Sequence, residues 1–204
     1  IVENAIYDKF MDGLIERTRN LKIGDGSDPD VDVSPLASKS QFDTVSEYID
    51  AGIREGAKIA CGGSALSGGI FDEGYYIEPT VFTMVSTSMR IAQEEIFGPV
   101  LTIFKAKDLI EAIDISNNIE FGLSSSIYTN DLSKAFHYVN TAEVGMVHIN
   151  CPTLGGEVHL PFGGLKSSGV GHREQGVEAV EFFSEVVTVY VDYAGTPRQQ
   201  AKFI

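Results

Sequence analysis

Three short strand-like runs separated by two amphipathic helical patterns constrain this chain most. Residues 100–104, 124–129 and 145–150 read as strands, and residues 108–116 and 132–140 read as helices between them. Links this short permit a β-α-β-α-β order, with parallel strands and crossover helices lying on the sheet faces. Residues 100–104 are β-branched and apolar enough to predict a strand buried on both faces. Asp108 is placed to N-cap a helix carrying Leu109, Ala112, Ile113 and Ser116 on one side. The implied fold class is α/β, a three-layer parallel sheet with crossover helices.

The flanking segments extend the pattern. Ile6, Phe10 and Leu14 recur every four residues and predict an amphipathic helix ending near residue 21. A polar loop covers residues 24–35, and Phe42, Val45, Ile49 and Ile53 predict a second helix that Gly56 stops. Residues 57–60 read as a strand closed by Gly62 and Gly63. Residues 75–85 are β-rich, but Pro79 demotes them to an edge strand or an irregular segment. After a glycine-rich stretch, residues 177–183 read as a helix and 186–191 as a last β-branched strand, followed by a polar tail over 195–204.

Composition excludes several classes of function. At 204 residues with 43% hydrophobic content, the chain can bury a sizeable core. Its net charge of −14 repels phosphate backbones and anionic lipid, and no basic cluster offsets that, so nucleic acid and membrane are not expected partners. No apolar run approaches the length that spans a bilayer, and the amino terminus lacks the pattern of a signal peptide. The start at Ile1 and Val2 reads as a strand cut mid-stream, so a processed or truncated product is expected. Two cysteines, Cys61 and Cys151, are too few for a disulfide scaffold and point to a reducing cytoplasm. The four histidines show no ligand spacing, so no metal site is expected. Cys61 reads as an inert thiol in a glycine-bounded surface turn. Cys151 has no identifiable basic partner and reads as structural.

Two segments carry candidate chemistry. Residues 93–100, Gln-Glu-Glu-Ile-Phe-Gly-Pro-Val, stand before a predicted strand. Glu94 and Glu95 are neighbours pointing in different directions, so they cannot act as an acid/base pair on one face. One is expected to be exposed or salt-bridged and the other to accept hydrogen bonds from a ligand, as carboxylates do for ribose hydroxyls. A solvated helix end with Phe97 in the core is the competing reading. The second segment, residues 150–176, begins at a strand's carboxyl end, where open α/β sheets place ligands. Eight of the 21 glycines lie between Gly145 and Gly176, permitting close backbone approach. Within it, Pro161-Phe162-Gly163-Gly164 presents one ring on a rigid turn. A binding surface and packing punctuation stand equal here.

Together EEIFGPV (94–100), NNIEFGL (117–123), PFGG followed by Lys166, and Gly171, Arg173, Glu174 and Gly176 resemble the aldehyde dehydrogenase superfamily in order and spacing. The resemblance covers roughly residues 1–193 and implies the carboxyl-terminal part of a catalytic domain. On it, residues 1–184 form an incomplete catalytic domain and 185–204 a carboxyl-terminal oligomerisation strand with its tail. The activity implied is NAD(P)-dependent oxidation of an aldehyde to a carboxylate through a Cys thioester. The nucleophile and the NAD- or NADP-binding domain lie outside this chain, which is therefore expected to be inactive alone. By position in the motifs, Glu95 would hold the nicotinamide ribose hydroxyls and Phe97 would pack near the nicotinamide. Phe162 would line the aldehyde tunnel, and Glu174 would be a catalytic proton relay.

Two details depart from the usual pattern. His172 is inserted between Gly171 and Arg173, and the loop from Asn150 to PFGG is about one residue longer than in many members. The loop's form resembles the branch acting on polar semialdehydes. The implied partners are a small-molecule aldehyde and further copies of the chain in a dimer or tetramer. A non-catalytic fragment acting only through subunit association is the alternative; retention of Glu95, Phe97 and Phe162 favours the enzyme.

Overall fold

The computed structural model describes residues 1–191. After a two-residue strand β1 (Val2–Glu3), helix α1 (Tyr7–Arg19) and helix α2 (Lys39–Glu55) precede strand β2 (Lys58–Cys61). The Ser38 hydroxyl caps α2 by accepting from the Gln41 N–H, and Gly56 ends it at φ 102°, where a side chain would be strained. A 3-10 turn (Gly69–Glu73) leads into β3 (Thr80–Thr83), then short helix α3 (Arg90–Gln93) and strands β4 (Val100–Thr102) and β5 (Lys105–Ala106).

Helix α4 (Leu109–Asn117) starts at Asp108, whose carboxylate accepts from the Glu111 N–H as expected. Strands β6 (Phe121–Gly122) and β7 (Ser124–Ile127) lead to α5 (Leu132–Thr141) and β8 (Met146–Ile149). Strand β9 (Leu165–Lys166) and helix α6 (Glu178–Phe182) complete the described elements. The α/β class holds. β7 and β8 pair in parallel with α5 as the crossover, β3 and β4 pair in parallel, and so do β1 and β5.

The core forms in two halves, one on each face of β3. Phe82 and Thr80 point toward α2, and Phe82 is enclosed by Val45, Ile49, Ala57, Ile77 and Ile91. Val81 points the other way, toward Met11 of α1, with Val2, Cys61 and Ile103. Helices thus cover both sides of one strand, a three-layer arrangement.

Five expectations need correction. Residues 75–85 are not an edge, because β3 lies between antiparallel β2 and parallel β4 as the central strand. Pro79 stands one residue before the ladder, so its missing N–H costs no sheet hydrogen bond. β4 is covered on one face only, with Leu101 exposed. The buried residue of α1 is Met11, packed beside Tyr7, Leu14 and Ile15, while Ile6 and Phe10 are exposed. The parallel pairs β1–β5, β3–β4 and β7–β8 lie in three separate sheets rather than one continuous sheet, and antiparallel β6–β9 makes a fourth. Residues 186–191 run without any ladder partner among the described residues, and 192–204 lie outside them. No described helix is long and apolar enough to cross a membrane.

Candidate functional site

The turn from Glu94 to Pro99 takes its shape from helix α2. Gln41, Val45 and Tyr48 fall at i, i+4 and i+7 on one helical face, and each meets a different part of the turn. The Gln41 side-chain amide donates to the carbonyls of Ile96 (2.9 Å) and Phe97 (2.8 Å). Both partners are acceptors, so the NH2 group must face them. Gly98 lies against fully buried Val45; a Cβ there would come within 2.5 Å of a Val45 methyl. The Tyr48 hydroxyl donates to the Glu94 carboxylate at 2.7 Å.

This geometry separates the two adjacent carboxylates. Glu94 is bridged by Arg90, at 3.1 Å, and by Tyr48. Arg90 also bonds Glu47 and lies over the Tyr48 ring. The guanidinium first, then the phenol, holds the Glu94 carboxyl below its usual range, while the carboxylate pushes the Tyr48 phenol up. Glu95 is exposed and its side chain makes no hydrogen bond or ion pair among the described residues. Phe97, expected near a cofactor and alternatively in the core, is 75% exposed with φ at +51°. The backbone therefore holds a strained conformation and presents an aromatic ring to solvent. An open cavity of about 630 Å³ adjoins it, lined by residues 32–38 with Gln41, Phe97, Gly98 and Pro99.

The glycine-rich loop builds a second region. Phe162 and Glu174 face each other across an isolated antiparallel bridge, with the Phe162 N–H donating to Glu174 at 2.6 Å and the reverse bond at 2.8 Å. Directly opposed residues project to the same side, so the ring and the carboxylate share a face. Arg173 donates to the Gly164 carbonyl and locks the turn that carries Phe162. Three glycines are required by close approach. A Cβ on Gly145 would lie 1.8 Å from the Gly163 oxygen, on Gly164 2.3 Å from the Ser168 oxygen, and on Gly169 2.3 Å from the Gly164 oxygen. Packing therefore explains much of the glycine density, and it does so by shaping the Phe162 turn.

Hydrogen bonds through residues 117–120 join the two regions. Gln93 donates to the Asn118 carbonyl at 2.8 Å. The Lys166 ammonium donates to the carbonyls of Asn117 (2.6 Å) and Ile119 (3.1 Å) and pairs with Glu143 at 2.6 Å. Ser167 reaches the Glu120 carbonyl, and the Gly122 N–H donates to Ser168. Gln41 left no signal in sequence, because it is one polar residue on a helix whose partner turn lies 55 positions away.

The cysteines divide as a buried and an exposed thiol. Cys61 belongs to β2 rather than a surface turn, and burial pushes its thiol pKa up. Cys151 is exposed. No cluster of three metal-ligating side chains occurs among the described residues.

The chain is similar to known proteins. The model of the aldehyde dehydrogenase family matches residues 1–189. An alpha-ketoglutaric semialdehyde dehydrogenase of Bacillus subtilis is 42% identical over 191 residues, covering 94% of this chain and 39% of that protein. A betaine aldehyde dehydrogenase of Brucella melitensis is 44% identical over the same length and shares. A betaine aldehyde dehydrogenase from Staphylococcus aureus, solved in complex with NAD+ and carrying a BME-modified cysteine, superposes with a TM-score of 0.85. It is 38% identical, and the match covers 89% of this chain and 37% of that one. The chain thus spans about 39% of the length of the curated relatives it matches.

Proposed function

Because this chain belongs to the aldehyde dehydrogenase family, we propose that it is the carboxyl-terminal part of the catalytic domain of an NAD- or NADP-dependent aldehyde dehydrogenase. One observation carries the reading. Of two adjacent carboxylates, Glu94 is consumed by Arg90 and Tyr48, while Glu95 stands exposed and unpartnered among the described residues beside the outward Phe97 ring.

These residues fit a nicotinamide dinucleotide. A carboxylate free of internal partners accepts two neighbouring ribose hydroxyls, and an exposed ring offers a flat apolar surface for a planar one. When bound, the dinucleotide supplies a hydride acceptor. Glu95 orients the ribose, and Phe97 excludes water from one side of the ring system. Phe162 lines the approach of the aldehyde. Glu174, on the same side of the bridge, holds and passes a proton near the reacting carbonyl.

The thiol nucleophile, its thioester chemistry and the dinucleotide domain belong to polypeptide outside these 204 residues. Residues 1–184 then serve as the catalytic-domain portion and 185–204 as an arm that joins a homodimer or homotetramer. Neither cysteine here supplies the nucleophile, as Cys61 is buried with a raised pKa and no hydrogen bond activates the Cys151 thiol. The relatives' names point to a small polar aldehyde, in keeping with the loop pattern of residues 150–176.

The test is NADH or NADPH formation by the full-length protein with a carboxylate semialdehyde, a trimethylammonium aldehyde and an unbranched alkanal. Faster turnover of a polar aldehyde is expected, with Glu95→Gln slower by roughly 10- to 150-fold, the value of one charge-assisted hydrogen bond. The isolated chain should show no turnover. Activity of the isolated chain that disappears in Cys151→Ser, or a Glu95→Gln enzyme with unchanged cofactor affinity and rate, overturns the assignment.

A further inference from the structure

We propose that Gln41 is a positioning residue for the turn carrying Glu95 and Phe97, and through it for the nicotinamide end of the cofactor. The cofactor clause rests on the dehydrogenase reading above; the control of the turn does not.

Phe97 sits at φ +51°, a region that a bulky L-residue leaves unless its surroundings hold it. The peptide groups on either side of that residue must therefore be anchored. Their two carbonyls, Ile96 and Phe97, both accept from the same Gln41 NH2 group, at 2.9 and 2.8 Å. Among the described residues, no other side chain hydrogen-bonds to residues 95–98. The flanks are secured separately, because Tyr48 bonds Glu94 and the Thr80 N–H donates to Pro99 at 2.7 Å. Gly98 packs on Val45 without a polar bond to it. The Gly98 carbonyl accepts from the Val100 N–H at 2.7 Å, so the Gln41 amide is the one clamp on the two carbonyls flanking Phe97.

Loss of that amide leaves two carbonyls unpaired and releases the left-handed residue toward an ordinary conformation. The Phe97 ring and the Glu95 carboxylate then swing together, since only the Ile96 peptide unit separates them. The Phe162–Glu174 bridge has its own clamp in Arg173 and stays in place. The expected defect is therefore selective, touching the cofactor and sparing the aldehyde. Gln41 is a positioning residue in this scheme because it acts through the turn's backbone.

Its side chain makes no other hydrogen bond among the described residues. The backbone N–H of Gln41, which donates to the Ser38 cap at 3.2 Å, survives substitution. Two variants of similar size separate the amide's donors from its bulk. Gln41→Met removes both donors, and Gln41→Glu adds a carboxylate repelled by the two carbonyl oxygens.

In the full-length protein we expect the cofactor KM to rise about 10-fold in Gln41→Met and further in Gln41→Glu, with the aldehyde KM within about twofold. Amide hydrogen exchange at Val100, whose N–H donates to the Gly98 carbonyl at 2.7 Å, should accelerate in both variants and stay unchanged around Phe162. Unchanged cofactor KM and unchanged exchange in Gln41→Met overturn the proposal. So does an equal rise in both KM values, which marks general damage to the fold. An unmutated protein that oxidises no aldehyde with NAD+ or NADP+ overturns the dehydrogenase reading and the cofactor clause with it. Exchange at Val100 then still decides whether Gln41 holds the turn.

Discussion

Of the two neighbouring carboxylates, Glu94 is the one held by internal partners, and its stability contribution depends on pH. Glu94 is held ionised by Arg90 and Tyr48, so its native pKa lies below that of the unfolded chain. A group of that kind contributes stability above its unfolded pKa, about 4.3 for glutamate, and loses it as pH falls through the lowered native value. Glu94→Gln is therefore expected to lower Tm at pH 7 and to match the unmutated protein at the acid end of that window. Because the pair is exposed, added salt should shrink the difference. Scanning calorimetry at pH 7 and pH 3, in low and high salt, reads both effects; a difference that persists undiminished at pH 3 contradicts the ion-pair account. The Glu94–Glu95 division was legible in sequence only as an alternative, since adjacency says the two point apart but not which one meets Arg90. That choice depends on Arg90 lying one helical turn before Glu94 and on Tyr48 arriving from α2, 46 residues away.

At the scale of elements, close backbone approach decides what can change. Gly145, immediately before β8, lies directly under the Gly163 carbonyl, where a Cβ would lie 1.8 Å from the oxygen. Gly145→Ala must push the Phe162 turn aside by an ångström or more, and displacements of that size cost roughly 100-fold in rate. Gly13, within α1, has nothing within 4 Å of a Cβ. Gly13→Ala should stabilise by about 0.5–1 kcal/mol through helix propensity, raising Tm by a few degrees with unchanged kinetics. Steady-state rates and Tm on both variants check the contrast, and a fully active Gly145→Ala enzyme refutes the packing argument. Elements with periodic patterns, such as α2 or the β7-α5-β8 unit, could be read from sequence because local preference and burial agree there. β3 looks like an edge in sequence because Pro79 falls within the β-rich run, but Pro79 precedes Thr80 and the ladder begins after it. The β9 pairing with β6 and the Phe162–Glu174 bridge are invisible in sequence because each rests on one or two residue pairs, too short to leave a period.

At the scale of the molecule, the described residues leave much apolar surface uncovered. Tyr128, Leu132 and Phe136 are exposed around α5, and Val186, Val187, Val189 and Tyr190 are between 73% and 95% exposed. A net charge of −14 opposes indiscriminate association of such surfaces, so whatever covers them must do so by specific pairing. The segment 186–191 has the β-branched composition of a strand, carries no charge between Glu185 and Asp192, and lacks a ladder partner among the described residues. Unpaired backbone along a run of this kind is a template for another strand. Pairing across a subunit boundary satisfies its N–H and C=O groups and buries its valines in one step, which is why a dimer or tetramer is expected for the full-length protein. Proline at its centre removes one N–H and fixes φ near −65°, so it blocks pairing without disturbing the core around Phe82. Light scattering on the full-length protein should therefore show an oligomer that Val189→Pro dissociates, with the Tm of the remaining subunit changed little. A monomeric unmutated protein, or an oligomer indifferent to proline at position 189, would remove this segment from the interface.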